Sequence, residues 1–217
     1  MARRSVKEIR RLEGRATVPA GATRERLPAG AARARILQAV DELFYRDGVR
    51  AVGVDSVIAY AGVNKMSLYR NFASKDELIA AYIEGKNREF WARWDSIMHR
   101  HGPDPYRQLI GLFQELQVRT SNKDYRGCPF VNIAAELSDV DHPARRLVAR
   151  NKRELKRRLS ELAEAAGAKA PAALADSLLL LMEGAYAGSQ TCGSDGPTLA
   201  LARTAQVVID AQCRRKA

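Results

Sequence analysis

The sequence predicts an all-α fold. Three observations carry that expectation. Apolar residues recur at three- and four-residue intervals, caps and breakers mark the ends of the segments so formed, and no segment sustains the two-residue alternation of a strand. Nothing repeats at a solenoid period.

Residues 55–72 are the most informative stretch. Asp55 is placed to accept a backbone N–H as N-cap of a short helix whose Val57, Ile58 and Ala61 point inward. Ala61-Gly62-Val63 supplies the turn, with Gly62 free to take the left-handed conformation that ends a helix sharply. Asn64 is a second N-cap, opening a helix over 65–71. Val63, Leu68 and Phe72 pack back on the first helix, which leaves Lys65, Met66, Ser67, Tyr69 and Arg70 facing outward. Two short helices joined at a turn, the second with a polar, basic outer face, form the layout of a helix-turn-helix. Ser74 and Glu77 then read as a capping box, so a third helix starts at Lys75.

That helix runs through Trp91 and Trp94 to about His99, before Gly102-Pro103-Asp104-Pro105 breaks it. A further helix is expected over 106–121, with Leu109, Leu112, Phe113 and Leu116 on one face. Pro129 suits the first turn of a short helix over 129–137. Asp141-His142-Pro143 opens a long helix to about Ala166, closed by Gly167, and helices over 171–190 and 197–212 complete the chain.

Residues 33–85 resemble the DNA-binding domain of the TetR family of bacterial transcription regulators. The resemblance rests on Ile36, Ala39, Leu43, Phe44, Asp47 and Gly48, on Ala61-Gly62-Val63, on Leu68-Tyr69-Arg70-Asn71-Phe72 and on Ser74-Lys75-Asp76-Glu77-Leu78. Met66 stands where many members carry a small residue, and Asn71 where many carry histidine or tyrosine. The resemblance implies a DNA-binding domain over 31–78 and a helical ligand-binding and dimerisation domain over 79–217. It further implies a homodimer on a palindromic double-stranded operator, a small-molecule effector and, as the commonest outcome, repression. Lys65 and Ser67 are the candidates for base edges, with Met66 against a thymine methyl group. Tyr69, Asn64 and Lys75 are phosphate candidates, and Arg35, Arg50 and Arg70 are further ones. A dimer seam is expected from the last two helices through Leu178, Leu181, Ala185, Leu199 and Val207.

Residue types nominate an effector site. Trp91, Trp94, Phe113, Tyr125, Phe130, Met182 and Tyr186 supply apolar walls, and Asn132, Glu136 and Gln190 supply polar groups, the first two one helical turn apart. The plainer account of the same aromatics is that they build the core. Cys128, in a Gly127-Cys128-Pro129 helix start that resembles a stretch found in part of the family, has two readings. It is a pocket thiol activated by the helix N-terminus for redox or electrophile sensing, or a small buried hydrophobe. A third account drops specific DNA binding altogether and makes the chain a helical interaction protein.

Composition agrees with a polyanion binder: the formal net charge is +11 and the isoelectric point 9.9. Residues 1–30 hold eight basic side chains against three acidic ones and are expected to form a basic arm. Arg145, Arg146, Arg150, Lys152, Arg153, Lys156, Arg157 and Arg158 make the long helix basic, a solvated face rather than a second DNA contact. No apolar run has the length of a membrane span, and the basic N-terminus lacks the apolar segment of a secretory signal. Cys128, Cys192 and Cys213 show no metal-ligand spacing, which fits a reduced, cytoplasmic protein. The three histidines form no ligand cluster, and no catalytic motif or cofactor fingerprint is present, so neither an enzyme nor a cofactor is expected.

Overall fold

The computed structural model describes residues 30–213, and apart from Gly30 the basic arm lies outside them. Those residues form nine α-helices: α1 (Ala31–Asp47), α2 (Val54–Ala61), α3 (Lys65–Asn71), α4 (Lys75–Arg100), α5 (Pro105–Thr120), α6 (Pro129–Glu136), α7 (Pro143–Ala165), α8 (Pro171–Thr191) and α9 (Leu201–Gln212). The fold is all-helical, with an N-terminal helix-turn-helix and a C-terminal helical bundle.

Local chemistry explains the N-terminal half. Helix α1 buries Ile36, Ala39, Val40, Leu43 and Phe44, one stripe at helical spacing, against α2, α3 and α4. Gly62 ends α2 with φ 63° and ψ 30°, the left-handed geometry its missing side chain permits. Asn64 Oδ1 accepts from Ser67 N at 2.7 Å and starts α3, while Leu68 and Phe72 are fully buried beneath it. Because this side chain caps a helix of only seven residues, Asn64→Ala is expected to destabilise the domain by about 1 kcal/mol. A denaturant titration of the two proteins checks it.

Two expected caps are displaced. Gly53, not Asp55, is the N-cap of α2; Asp55 lies in the first turn, where its charge still favours the helix dipole. Ser74 Oγ accepts from Glu77 N at 3.2 Å as expected, but Glu77 Oε2 accepts from Ala73 N at 2.6 Å instead of closing the box on Ser74. The longer glutamate reaches one residue further back.

In the C-terminal half α8 packs on α7 and α9, α5 on α9 and α7, and α6 on α7. The last helix starts later than expected. Pro197–Ala200 forms a 3-10 turn, and the α-helix begins at Leu201. Helix α4 continues without interruption from the helix-turn-helix into the bundle, and its Tyr82 meets Phe44 of α1 edge-on at 5.7 Å. The regions 31–78 and 79–217 therefore share one helix.

The basic face of α7 is largely neutralised by ion pairs. Lys152 pairs with Glu183 and Lys156 with Asp176; Arg157 bonds Glu154 and Glu161; Arg158 bonds Glu154 and stacks 4.1 Å over Trp91. Exposed pairs of this kind add little stability each, but they account for the charge without a polyanion.

Candidate functional site

Helix α3 presents the candidate reading surface. Lys65, Tyr69 and Arg70 are exposed, and Met66 is 72% accessible. Ser67 is half-buried and its hydroxyl accepts from Arg70 Nη2 at 3.2 Å, so these two side chains act as a unit. Asn64 is exposed but its oxygen is committed to the cap, which leaves its amide NH₂ to face outward. Lys75 opens α4 beside this surface, with its own helix N-terminus behind it. No carboxylate forms an ion pair with Lys65 or Lys75 among the described residues, so the surface keeps its positive charge.

A second site lies in the bundle. Two narrow lobes, with cavity volumes of 40 and 90 Å³, share Phe90, Arg93, Arg119 and Tyr186. The smaller lobe is bounded by Trp94, Ile97, Leu112, Leu116 and Met182, the larger by Tyr45, Tyr125, Cys128, Pro129 and Phe130. Six of the eleven residues expected at an effector site, Trp94, Tyr125, Cys128, Phe130, Met182 and Tyr186, thus meet around one cleft.

Five do not, among them Gln190, which lies outside both linings. Phe113 is fully buried in the core, since its face of α5 is the packed one. Trp91 points the other way, donating to Asn87 at 3.0 Å and lying under Arg158. Asn132 donates to Arg126 O at 2.9 Å, and Glu136 accepts from Arg50 N at 2.9 Å, so both tie loops together. Sequence reasoning also missed Arg93 and Arg119. Arg93 follows Phe90 by three residues on a stripe that continues to Trp94 and Ile97, and Arg119 lies three residues beyond Leu116 on the stripe of Leu112. That register was the available signal.

Cys128 is 3% exposed, and burial pushes its thiol pKa up even though Lys152 and the N–H groups of Phe130 and Val131 act the other way. The geometry matches the small buried hydrophobe and not an activated thiolate.

The cleft is fastened to the helix-turn-helix. Tyr45 of α1 lines it and donates to Gly127 O at 3.2 Å, while its hydroxyl accepts from Arg126 N at 3.0 Å. Three residues on, Gly48 has φ 86° and ψ 156°, a region open essentially to glycine alone, and a Cβ there would stand 2.8 Å from Glu136 Oε2. Gly48→Ala is therefore expected to cost about 1–3 kcal/mol from backbone strain. It also expels Glu136 from the Arg50 amide; a thermal melt and the exchange rate of that amide check both effects.

The expected dimer seam needs correction. Leu178 and Ala185 are 0% and 5% exposed within the single chain, packed inward against the bundle, so they have no surface left for a partner. Leu199 and Val207 are exposed as expected, and Leu180, 72% accessible, heads an open α8 face with Gly184 and Ala187.

Comparison with known proteins agrees with this architecture. Residues 36–82 match the bacterial regulatory proteins of the tetR family, and residues 105–205 match the tetracyclin repressor-like C-terminal domain. The sav143 protein of Streptomyces avermitilis superposes with a TM-score of 0.74 at 33% identity, covering 83% of this chain and 97% of that one. The chain belongs to the TetR family. As a TetR-family protein it is a DNA-binding transcription regulator and not an enzyme.

Two curated relatives match part of the chain. The transcriptional activator FasR of Mycolicibacterium smegmatis is 41% identical over 68 residues, and the transcriptional repressor KstR2 of Mycobacterium tuberculosis is 32% identical over 81. Those alignments cover 30% and 37% of this chain and 31% and 40% of the relatives, under two thirds of either. Among the described residues no helix is long and apolar enough to cross a membrane, and no cluster of metal-ligating side chains is found.

Proposed function

We propose that this TetR-family chain is a cytoplasmic, effector-responsive repressor that binds a palindromic operator as a homodimer. The observation that carries the reading is the outer face of α3, where Lys65, Met66 and Tyr69 are exposed on a helix whose inner face is fixed by buried Leu68. Lys65 and Ser67 read base edges and Met66 contacts a thymine methyl group, while Asn64, Tyr69, Arg70 and Lys75 hold phosphates. The exposed apolar residues Leu180, Leu199 and Val207 support a two-fold seam along α8 and α9. Two-fold symmetry then sets half-sites about one helical turn apart, or a multiple of it.

An effector enters the cleft between Trp94, Met182, Tyr186 and Phe130. The lobes are narrow, so entry displaces their walls, and Tyr45 carries that displacement into α1. The effector discharges the operator because it binds the widened, DNA-incompetent arrangement better than the competent one. Of the two relatives one is named an activator and the other a repressor. Repression is the simpler outcome, because occupying a promoter blocks it without any further contact surface.

In vitro selection from random duplexes at near-physiological salt tests the proposal. A recovered palindrome bound by two chains supports it, and a pool without sequence enrichment contradicts it.

A further inference from the structure

The cleft holds two guanidinium groups that form no ion pair among the described residues, although the charges of Glu89 and Glu115 act favourably on Arg93. Of the acids on its lining, Glu89 is bonded to Lys86 at 3.1 Å and Glu115 to Arg100 at 3.3 Å. Lys86 has a second carboxylate in Asp41 at 2.6 Å. Arg93 and Arg119 form no ion pair among the described residues, although both border the two lobes. Arg93 Nε is shut away from solvent without a hydrogen-bond partner, and burial followed by the nearby charge of Arg119 lowers the Arg93 pKa. Arg119 has only the ring of Tyr125, 5.6 Å from its central carbon, and the Tyr125 hydroxyl is itself buried without a partner.

Buried donors of this kind are costly unless something completes them. Two repelling cations and an unused hydroxyl at the junction of an apolar lobe and an aromatic one form a receptor for a negative charge carried on an apolar body. The groove on the far side of Trp94 lacks this character. Bounded by Trp94, Met98 and Leu162, it is wider, but its cations Arg157 and Arg158 are already bonded to Glu154.

We propose that the effector is an amphipathic carboxylate. Its carboxylate lies between Arg93 and Arg119 and takes the Tyr125 hydroxyl as a further donor. Its hydrocarbon or aromatic part enters the lobe of Trp94, Leu112, Leu116 and Met182. This assignment rests on the reading of the cleft as the effector site and names the chemistry that site selects.

The test is a thermal-shift and calorimetric screen of straight-chain and aryl-substituted carboxylates, each paired with its isosteric primary alcohol, on the full chain. Hits are expected among the carboxylates, and Arg93→Gln and Arg119→Gln are each expected to weaken them about tenfold or more. Arg93→Met keeps the apolar stem and removes the charge, and is expected to raise the melting temperature of the ligand-free protein.

Alcohols binding as well as their acids, affinities unchanged in the arginine variants, no carboxylate hit across the panel, or a lowered melting temperature for Arg93→Met each overturn the proposal. Operator binding in the same samples separates the two claims. Release by neutral compounds keeps the cleft as effector site and removes the anion. Arginine-dependent carboxylate binding that leaves operator affinity unchanged keeps the anion site and removes the effector reading.

Discussion

Replacing Lys65 and Tyr69 together by alanine is expected to lower affinity for the selected operator about a hundredfold or more while leaving the fold intact. A good base-edge contact contributes about 1–3 kcal/mol, and a phosphate contact adds to it without regard to sequence. Both side chains are exposed, and Tyr69 is 47% accessible, so neither supports the core. Surface substitutions of this type change stability by about 0.5 kcal/mol or less. Fluorescence anisotropy with the operator duplex, paired with a denaturant titration, separates the two effects. Lost binding at unchanged stability places the contact on α3, whereas retained binding moves the recognition surface elsewhere.

Phe113→Ala is expected to destabilise the protein by about 3–5 kcal/mol, the range for removing a fully buried phenylalanine ring. Its helix α5 packs on α7 and α9, so the void closes only in part. An effector-site residue would behave differently, losing ligand affinity at nearly constant stability. A chemical-denaturation midpoint measured without ligand decides between the two. A loss below about 1 kcal/mol would return Phe113 to the cleft.

The helix-turn-helix was legible because its determinants are local. A glycine that must turn left, an asparagine with a free N–H three residues ahead and two apolar residues four apart are all read from adjacent positions. Where a neighbour could compete, legibility fell: Gly53 took the cap expected of Asp55, and Glu77 reached Ala73 instead of Ser74. The start of α9 slipped because three-residue and four-residue hydrogen bonding look alike behind a proline.

The cleft was only half legible, since residue type says that an aromatic is buried but not toward what. Phe113 and Trp94 both suit a wall, and only tertiary packing puts one in the core and the other at the cleft. Leu178 and Leu180 likewise stand two apart on α8, and the facing helices alone decide that the first is hidden and the second open. Arg93 and Arg119 escaped notice because long cations are ordinarily solvated, although their register on apolar stripes marked them as exceptions.

The most direct measurement compares affinity for the selected operator with affinity for a shuffled duplex of the same length, across a range of salt concentrations. A sequence-specific regulator gives a ratio of about 10³ or more at physiological salt, maintained as both affinities fall with added salt. Equal affinities with the same salt slope would mean that the positive surface holds DNA without reading it, and would contradict the assignment of α3 as a recognition helix.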